Sequence, residues 1–210
     1  MAALVSINLG TAQHIPGYGP LTGIVKTPVA SAGIERLGMA GDAVCDSKHH
    51  GGTDQAIYVY FADDYAWWGN ELGRTIEPGT FGENLTIAGV EGRAIAIGDR
   101  FAIGPALLEV SYHRTPCMTF AARMGDPLWV KRFHRANRPG AYCRVLQPGE
   151  VETGMAVDHA PFAGERVTVS ELMALDGARE IDPTFMRRAL ATPIREKTRF
   201  KFETRLASLF

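Results

Sequence analysis

The chain has 210 residues, 46% hydrophobic and 21% charged, and 22 Lys+Arg against 23 Asp+Glu leave a net charge of −1. At roughly 100–200 residues per domain this is one domain with room for a small appendage. Folding hides about 70% of the extended chain's surface, so the core needs no disulfide staples. The composition excludes disorder, collagen-like repeats and coiled coil. With no basic excess, binding of nucleic acid or an anionic membrane by bulk charge is not expected.

Cys45, Cys117 and Cys143 form no C-x-x-C pair, which excludes zinc-knuckle and thioredoxin patterns. The N-terminus lacks a basic region and a long apolar run, so it reads as a strand rather than a signal peptide. No window approaches about 18 apolar residues. A cytoplasmic protein with reduced thiols is expected.

The first two-thirds are strand-rich. Leu4–Leu9 reads as a strand, and Lys26–Ala30 as an edge strand because of Pro28. Ile57–Phe61 is β-branched and aromatic, hence a buried strand. It runs into a helix with acids in its first turn and Gly73 at its stop. Ala94–Ile97, Arg100–Ile103 and Leu107–Tyr112 are short strands punctuated by glycine turns, and Tyr142–Leu146 and Met155–His159 complete the set. Close spacing of short strands favours a barrel or sandwich. After Pro161 the composition shifts to helices over about 168–176, 183–191 and 193–209. Thr168 and Glu171 form a capping box, while Asp182-Pro183 and Thr192-Pro193 each place a capping residue before proline. Phe202, Leu206 and Leu209 give the last helix one apolar face. That face packs on the core or, in a sharper reading, docks a partner.

Four segments carry candidate chemistry. In Arg114-Thr-Pro-Cys117, Thr115 is placed as a helix cap and Cys117 in the first turn, where the helix dipole and Arg114 favour thiolate. The plain alternative is a small buried cysteine. In Asp46-Ser-Lys48-His49-His50-Gly51-Gly52-Thr-Asp54, the acids and histidines could hold a hard metal, or the glycines could turn backbone N–H groups toward an anion. A polar loop is the simpler account. Phe81-Gly82-Glu83-Asn84-Leu85 reads as a turn entering a strand, with Glu83 and Asn84 exposed and Gly82 allowing close backbone approach. Arg138-Pro-Gly140-Ala-Tyr142-Cys-Arg144 could clamp a phosphate between guanidinium groups, or be surface charge.

Taken together with Ile97-Gly-Asp-Arg100, these segments resemble the MOSC family, named for the C-terminal domain of molybdenum cofactor sulfurases, and within it the stand-alone YiiM-like branch. The resemblance implies a mainly β fold: a MOSC-type β-barrel related to the pyruvate-kinase barrel domain over residues 1–160, then a three-helix extension over 161–210. It implies molybdenum cofactor in a cleft, with Cys117 as the molybdenum ligand. Lys48, His49, Gly51, Gly52, Phe81, Gly82, Glu83, Asn84, Arg114, Tyr142 and Arg144 would line the cofactor. The implied activity is reduction of N-hydroxylated compounds, such as hydroxylaminopurine-type bases, to amines. His50, Asp54 and His113 are candidate proton donors; His113 stands where this branch usually has proline, and His50 and Asp54 are carried forward as catalytic. No flavin or nicotinamide fingerprint is present, so an external reductase supplies electrons. A homodimer is expected from the same branch. The alternative is a sulfur or cofactor carrier using a Cys117 persulfide. A Cys–His hydrolase ranks last, since no orienting acid or asparagine is evident.

Overall fold

A computed structural model describes residues 1–46 and 50–209. In chain order the elements are β1 (Ala3–Gly10), β2 (Gln13–Ile15), β3 (Tyr18–Thr22), β4 (Lys26–Val29), β5 (Ser31–Glu35), β6 (Gly38–Met39), β7 (Ile57–Phe61), α1 (Ala62–Leu72), β8 (Leu85–Ala88), β9 (Arg100–Ile103), β10 (Ala106–His113), α2 (Met118–Met124), α3 (Trp129–Ala136), β11 (Ala141–Gln147), β12 (Gly149–Glu152), β13 (Val157–Ala160), α4 (Val169–Ala174), α5 (Pro183–Leu190) and α6 (Glu196–Ala207).

Eight strands form one mixed sheet in the order β13-β9-β10-β11-β7-β8-β1-β4. The β7–β8 pair is parallel, and the segment carrying α1 makes the crossover such a pair requires. Its other pairs are antiparallel. Pro28 does sit on an edge strand, β4, where its missing N–H costs no ladder bond. The fold is sheet-dominated, as expected, but among the described residues its ladder stays open. β1 meets the approach to β13 through an isolated bridge, Ala3 to Ala156, reinforced by Leu4 N–H to the Met155 carbonyl at 2.9 Å. Among the described residues, no helix is long and apolar enough to cross a membrane.

β7 is buried along its whole length, as its β-branched and aromatic composition requires. α1 follows at once and stops at Gly73, which takes the left-handed conformation (φ 63°). Ala94–Ile97 is not a strand. A 3₁₀ turn occupies Gly92–Ala94, and the pairing that follows is limited to an isolated antiparallel bridge between Ala96 and Thr168, with the Ala96 N–H bonded to Asp99 Oδ2 at 3.0 Å. The Thr168–Glu171 capping box forms, and Asp182 caps α5 by accepting from Thr184 N–H. Thr192 does not cap the last helix. Its hydroxyl donates back to the Ala189 carbonyl at 2.6 Å, and α6 begins only at Glu196. Leu172, Met186 and Phe202 from these helices enter the same core as Ile57, Phe101 and Val110. Phe202 is buried and Leu206 packs against that core, while Leu209 is exposed. The apolar face of α6 is therefore largely occupied.

The Ile97-Gly-Asp-Arg segment owes its character to Asp99. This fully buried carboxylate accepts from Ala96 N–H, Phe162 N–H, Arg166 and His159, at 2.8 to 3.1 Å. Burial alone would raise its pKa; these donors hold it at about 2. It thereby ties the sheet to the chain entering the helical tail. The native value lies below the unfolded one, so its contribution is complete at neutral pH and lost as pH falls through about 2. Asp99→Ala is expected to cost about 3 kcal/mol in urea unfolding at neutral pH, because several charge-assisted bonds go at once.

Candidate functional site

A cleft opens beside the sheet. All four motif segments reach it: Asp46, His50 and Gly51 from the first, Gly82 and Asn84 from the second, Arg114 and Cys117 from the third, and Tyr142 from the fourth. β7 contributes Tyr58, and the β3–β4 region contributes Ile24 and Lys26.

Cys117 is the N-cap residue of α2 rather than part of its first turn. Thr115 is displaced from the expected cap because its hydroxyl reaches Asp176 Oδ2 at 3.2 Å. Burial opposes ionisation of the Cys117 thiol. A hydrogen bond from His50 and the charge of Arg114 overcome it, and the pKa falls to about 6. Cys143 has the opposite setting: it is wholly buried in β11, and burial raises its pKa far above the ordinary thiol value. Cys45 is exposed and lines the same cleft as Cys117.

Arg114 is 4% exposed. Its guanidinium lies 5.1 Å from both the Tyr58 and the Phe120 ring centroids, in cation–π range. Its Nε and Nη2 have no hydrogen-bond partner among the described residues. Arg114 thus keeps donors unused among the described residues, and a guanidinium fork has the geometry that carboxylate and phosphate groups match.

The Phe81–Leu85 segment divides its duties by alternation. Phe81 is fully buried within the aromatic cluster, 4.9 Å from the Tyr60 ring. Glu83 is not exposed, as expected from sequence, but fully buried. Its Oε1 accepts from Tyr65 hydroxyl, Gly79 N–H and Thr86 hydroxyl, pinning α1 to the turn before β8. Burial raises its pKa against those bonds. Gly82 and Asn84 face the cleft. Gly82 has φ +80°, and an added Cβ would stand 2.8 Å from Ile24, so only glycine fits. Asn84 is likewise buried: Oδ1 accepts from Tyr58 N–H at 3.1 Å and Nδ2 donates to Asp42 Oδ2 at 2.8 Å.

Lys26 and Asp42, the second at the head of the Asp42–Asp54 candidate segment, also line the cleft, and the sequence assigned neither a role. Lys26 Nζ lies 2.5 Å from Asp42 Oδ1, and Asp42 also accepts from Gly10 N–H at 2.7 Å. Burial lowers the Lys26 pKa, and Asp42 partly restores it.

Several expected site residues lie elsewhere. Arg144 reaches Asp54 Oδ1 at 2.6 Å and Glu109 Oε1 at 3.1 Å. Asp54 Oδ2 accepts from Glu196 N–H at 2.8 Å. Both side chains are thus engaged in tying β11 and β10 to α6, outside the cleft lining. Gly52 caps the 3₁₀ turn Thr53–Gln55 and does not line the cleft. His113 is fully buried, with its Nε2 3.4 Å from Asp176 Oδ1. Of the three proposed proton donors, only His50 lines the cleft. Lys48 and His49 lie outside the described residues. Among those described, no three His, Cys, Asp or Glu side chains gather as a metal site, and Asp54 is turned away from His50 toward Arg144.

The chain belongs to the MOSC domain family, whose model matches residues 46–158. A crystal structure of YiiM from Geobacillus stearothermophilus matches it with a TM-score of 0.80 and 28% identity, covering 98% of this chain and 100% of that one. The uncharacterized protein YflK of Bacillus subtilis is 37% identical over 155 residues, 72% of this chain and 70% of that protein. A protein named Reductase from Gibberella moniliformis is 37% identical over 123 residues, 56% of this chain but only 21% of that protein.

The Cys117 setting predicts its reactivity. Alkylation by iodoacetamide, followed by mass spectrometry of the Cys117 peptide, is expected to rise with pH around a midpoint near 6. His50→Ala removes a donor to the sulfur and moves that midpoint upward, while Cys143 stays unmodified in the folded protein.

Proposed function

We propose that this cleft binds molybdenum cofactor, with Cys117 as the metal's protein ligand, and that the protein reduces N-hydroxylated compounds to amines. The observation that carries the reading is the pairing of an acidified thiol with a buried guanidinium holding unused donors, both on one cleft. A thiolate suits a soft metal, and a guanidinium fork suits a phosphate. MOSC membership and the relative named Reductase support the same direction.

The overall change is R–NHOH + 2 e⁻ + 2 H⁺ → R–NH₂ + H₂O. The bound cofactor supplies the two-electron exchange at its metal. The chain's own residues bind, orient and deliver protons. Arg114 donates to the anionic part of the cofactor. His50, already a hydrogen-bond donor to the Cys117 sulfur, is the cleft's source of a proton for the departing hydroxyl oxygen. The Lys26–Asp42 ion pair, with Asn84 bonded to Asp42, presents fixed polar groups along the wall with no net charge. This reading includes an external reductase as electron source, a homodimer and a cytoplasmic setting.

The test uses protein from a host that makes the cofactor, an N-hydroxylaminopurine as substrate and dithionite-reduced methyl viologen as donor. Cys117→Ser is expected to lower kcat/KM at least about 100-fold, since oxygen is a harder and far less acidic ligand. Cys45→Ser and Cys143→Ser stay near wild type. A Cys117 persulfide on protein without molybdenum would replace this reading with the carrier one.

A further inference from the structure

We propose that the arginine-rich, tryptophan-lined face formed by α1 and α3 docks an acidic electron carrier bearing a flavin or an iron–sulfur cluster. The proposal rests on the reading of the cleft as a redox centre. The sequence has no nucleotide fingerprint through which it could collect electrons itself, and the apolar face of α6 is largely buried in the core. The donor's landing place must therefore be sought elsewhere on the surface.

A surface cavity of about 500 Å³ lies between α1 and α3, lined by Trp67, Trp68, Glu71, Leu72, Arg132 and Arg135 among others. Lys131, Arg132 and Arg135 are exposed on α3. Arg132 stands 5.1 Å from the Trp129 ring centroid, and Arg138 stands 4.6 Å from that of Trp67. Asp64 neutralises Arg138 at 2.6 Å. Arg132 and Arg135 outnumber Glu71 in the cavity lining, and over the exposed residues of α1 and α3 Lys131, Arg132 and Arg135 face Asp63 and Glu71, which leaves a net positive face. The complementary partner is acidic, and such a patch speeds its encounter at low salt.

What lies beneath this face distinguishes it from an ordinary basic patch. Trp67 contacts Trp68 at 4.9 Å between centroids. Trp68 Nε1 donates to the Tyr60 hydroxyl at 2.9 Å. Tyr60 meets Tyr58 at 6.2 Å, and Tyr58 meets Tyr142 at 5.2 Å. Tyr58 and Tyr142 line the cleft beside Arg114 and Cys117. A run of aromatic side chains in contact thus leads from the docking face to the cleft, and conjugated rings lower the barrier to electron tunnelling relative to saturated side chains. Core packing explains why Phe81, Phe120 and Phe133 are buried together. It does not explain why cations ring the exposed end of the run. Per substrate, two reduced carriers dock in turn and give one electron each, two protons are taken up from solvent, the N–O bond breaks, one proton ends in the new N–H bond and the other in the water that leaves.

The test compares cofactor-loaded wild type with Arg132→Glu/Arg135→Glu and with a charge-matched control, Arg36→Glu/Arg179→Glu. The probes are a bacterial flavodoxin and a plant-type ferredoxin. Calorimetric titration with the oxidised carriers is expected to show at least one binding the wild type, more weakly as salt rises. Its Kd should rise on the order of tenfold in the α3 variant and stay close to wild type in the control. Turnover of an N-hydroxylaminopurine driven by the reduced carrier falls in parallel, while viologen-driven turnover of the α3 variant stays at the wild-type level. Equal binding by wild type and α3 variant, equal weakening in the control, or no binding of either carrier overturns the proposal. Loss of viologen-driven turnover in the wild type contradicts the function proposed for the cleft instead, and the titration still decides the docking face.

Discussion

Arg114 is a cation taken out of water without a full set of partners, and the architecture around the cleft is arranged about it. An unpaired buried charge costs several kcal/mol. Here the faces of Tyr58 and Phe120 offset part of that cost. The same charge helps hold the Cys117 thiol in its ionised form. β7 supplies one ring and α2 the other, so the two elements that enclose the guanidinium also bring the sulfur to it. Two of its donors are unbonded among the described residues, and the proposed anionic ligand would satisfy them.

The wall opposite is a relay of fixed polar groups. Tyr58 N–H holds the Asn84 side chain, Asn84 holds Asp42, and Asp42 holds both Lys26 and the Gly10 N–H. Each link joins a different strand or loop, so the cleft's shape is set by hydrogen bonds rather than by side-chain flexibility. The helical tail bears on the other flank. Asp176, just beyond α4, takes up both His113 and Thr115, on either side of Arg114. Residues that resemble candidate acid–base groups in sequence, such as His113, thus serve to position the loop that carries Cys117.

Much of this was legible in the sequence where a single local rule decides the outcome. Ile57–Phe61 became a buried strand and Gly73 a helix stop, and the Thr168–Glu171 box and Asp182 cap formed as their spacing requires. The four motif segments could be marked, and each sends residues to the cleft. What could not be read was which side chain of a segment faces which way. In Phe81–Asn84 alternate residues go to the core and to the cleft, and the charge of Glu83 pointed to solvent although three donors bury it. Arg144 and Asp54 are 90 residues apart and found each other only through the fold. The pairing of Lys26 with Asp42, and of Asp42 with Asn84, joins three separate segments and so could not be read from any one of them. Thr192 does not cap α6, because the helix starts four residues later, at Glu196, beyond reach of its side chain.

The account's central claim is that the Cys117 sulfur and the Arg114 guanidinium together form a seat for a soft metal carried on an anionic cofactor. X-ray absorption at the molybdenum edge, on protein purified from a cofactor-competent host, tests this most directly. The account predicts bound molybdenum whose sulfur shell contains one more scatterer in the wild type than in Cys117→Ser. Protein without molybdenum, or a sulfur shell unchanged by Cys117→Ser, would contradict it.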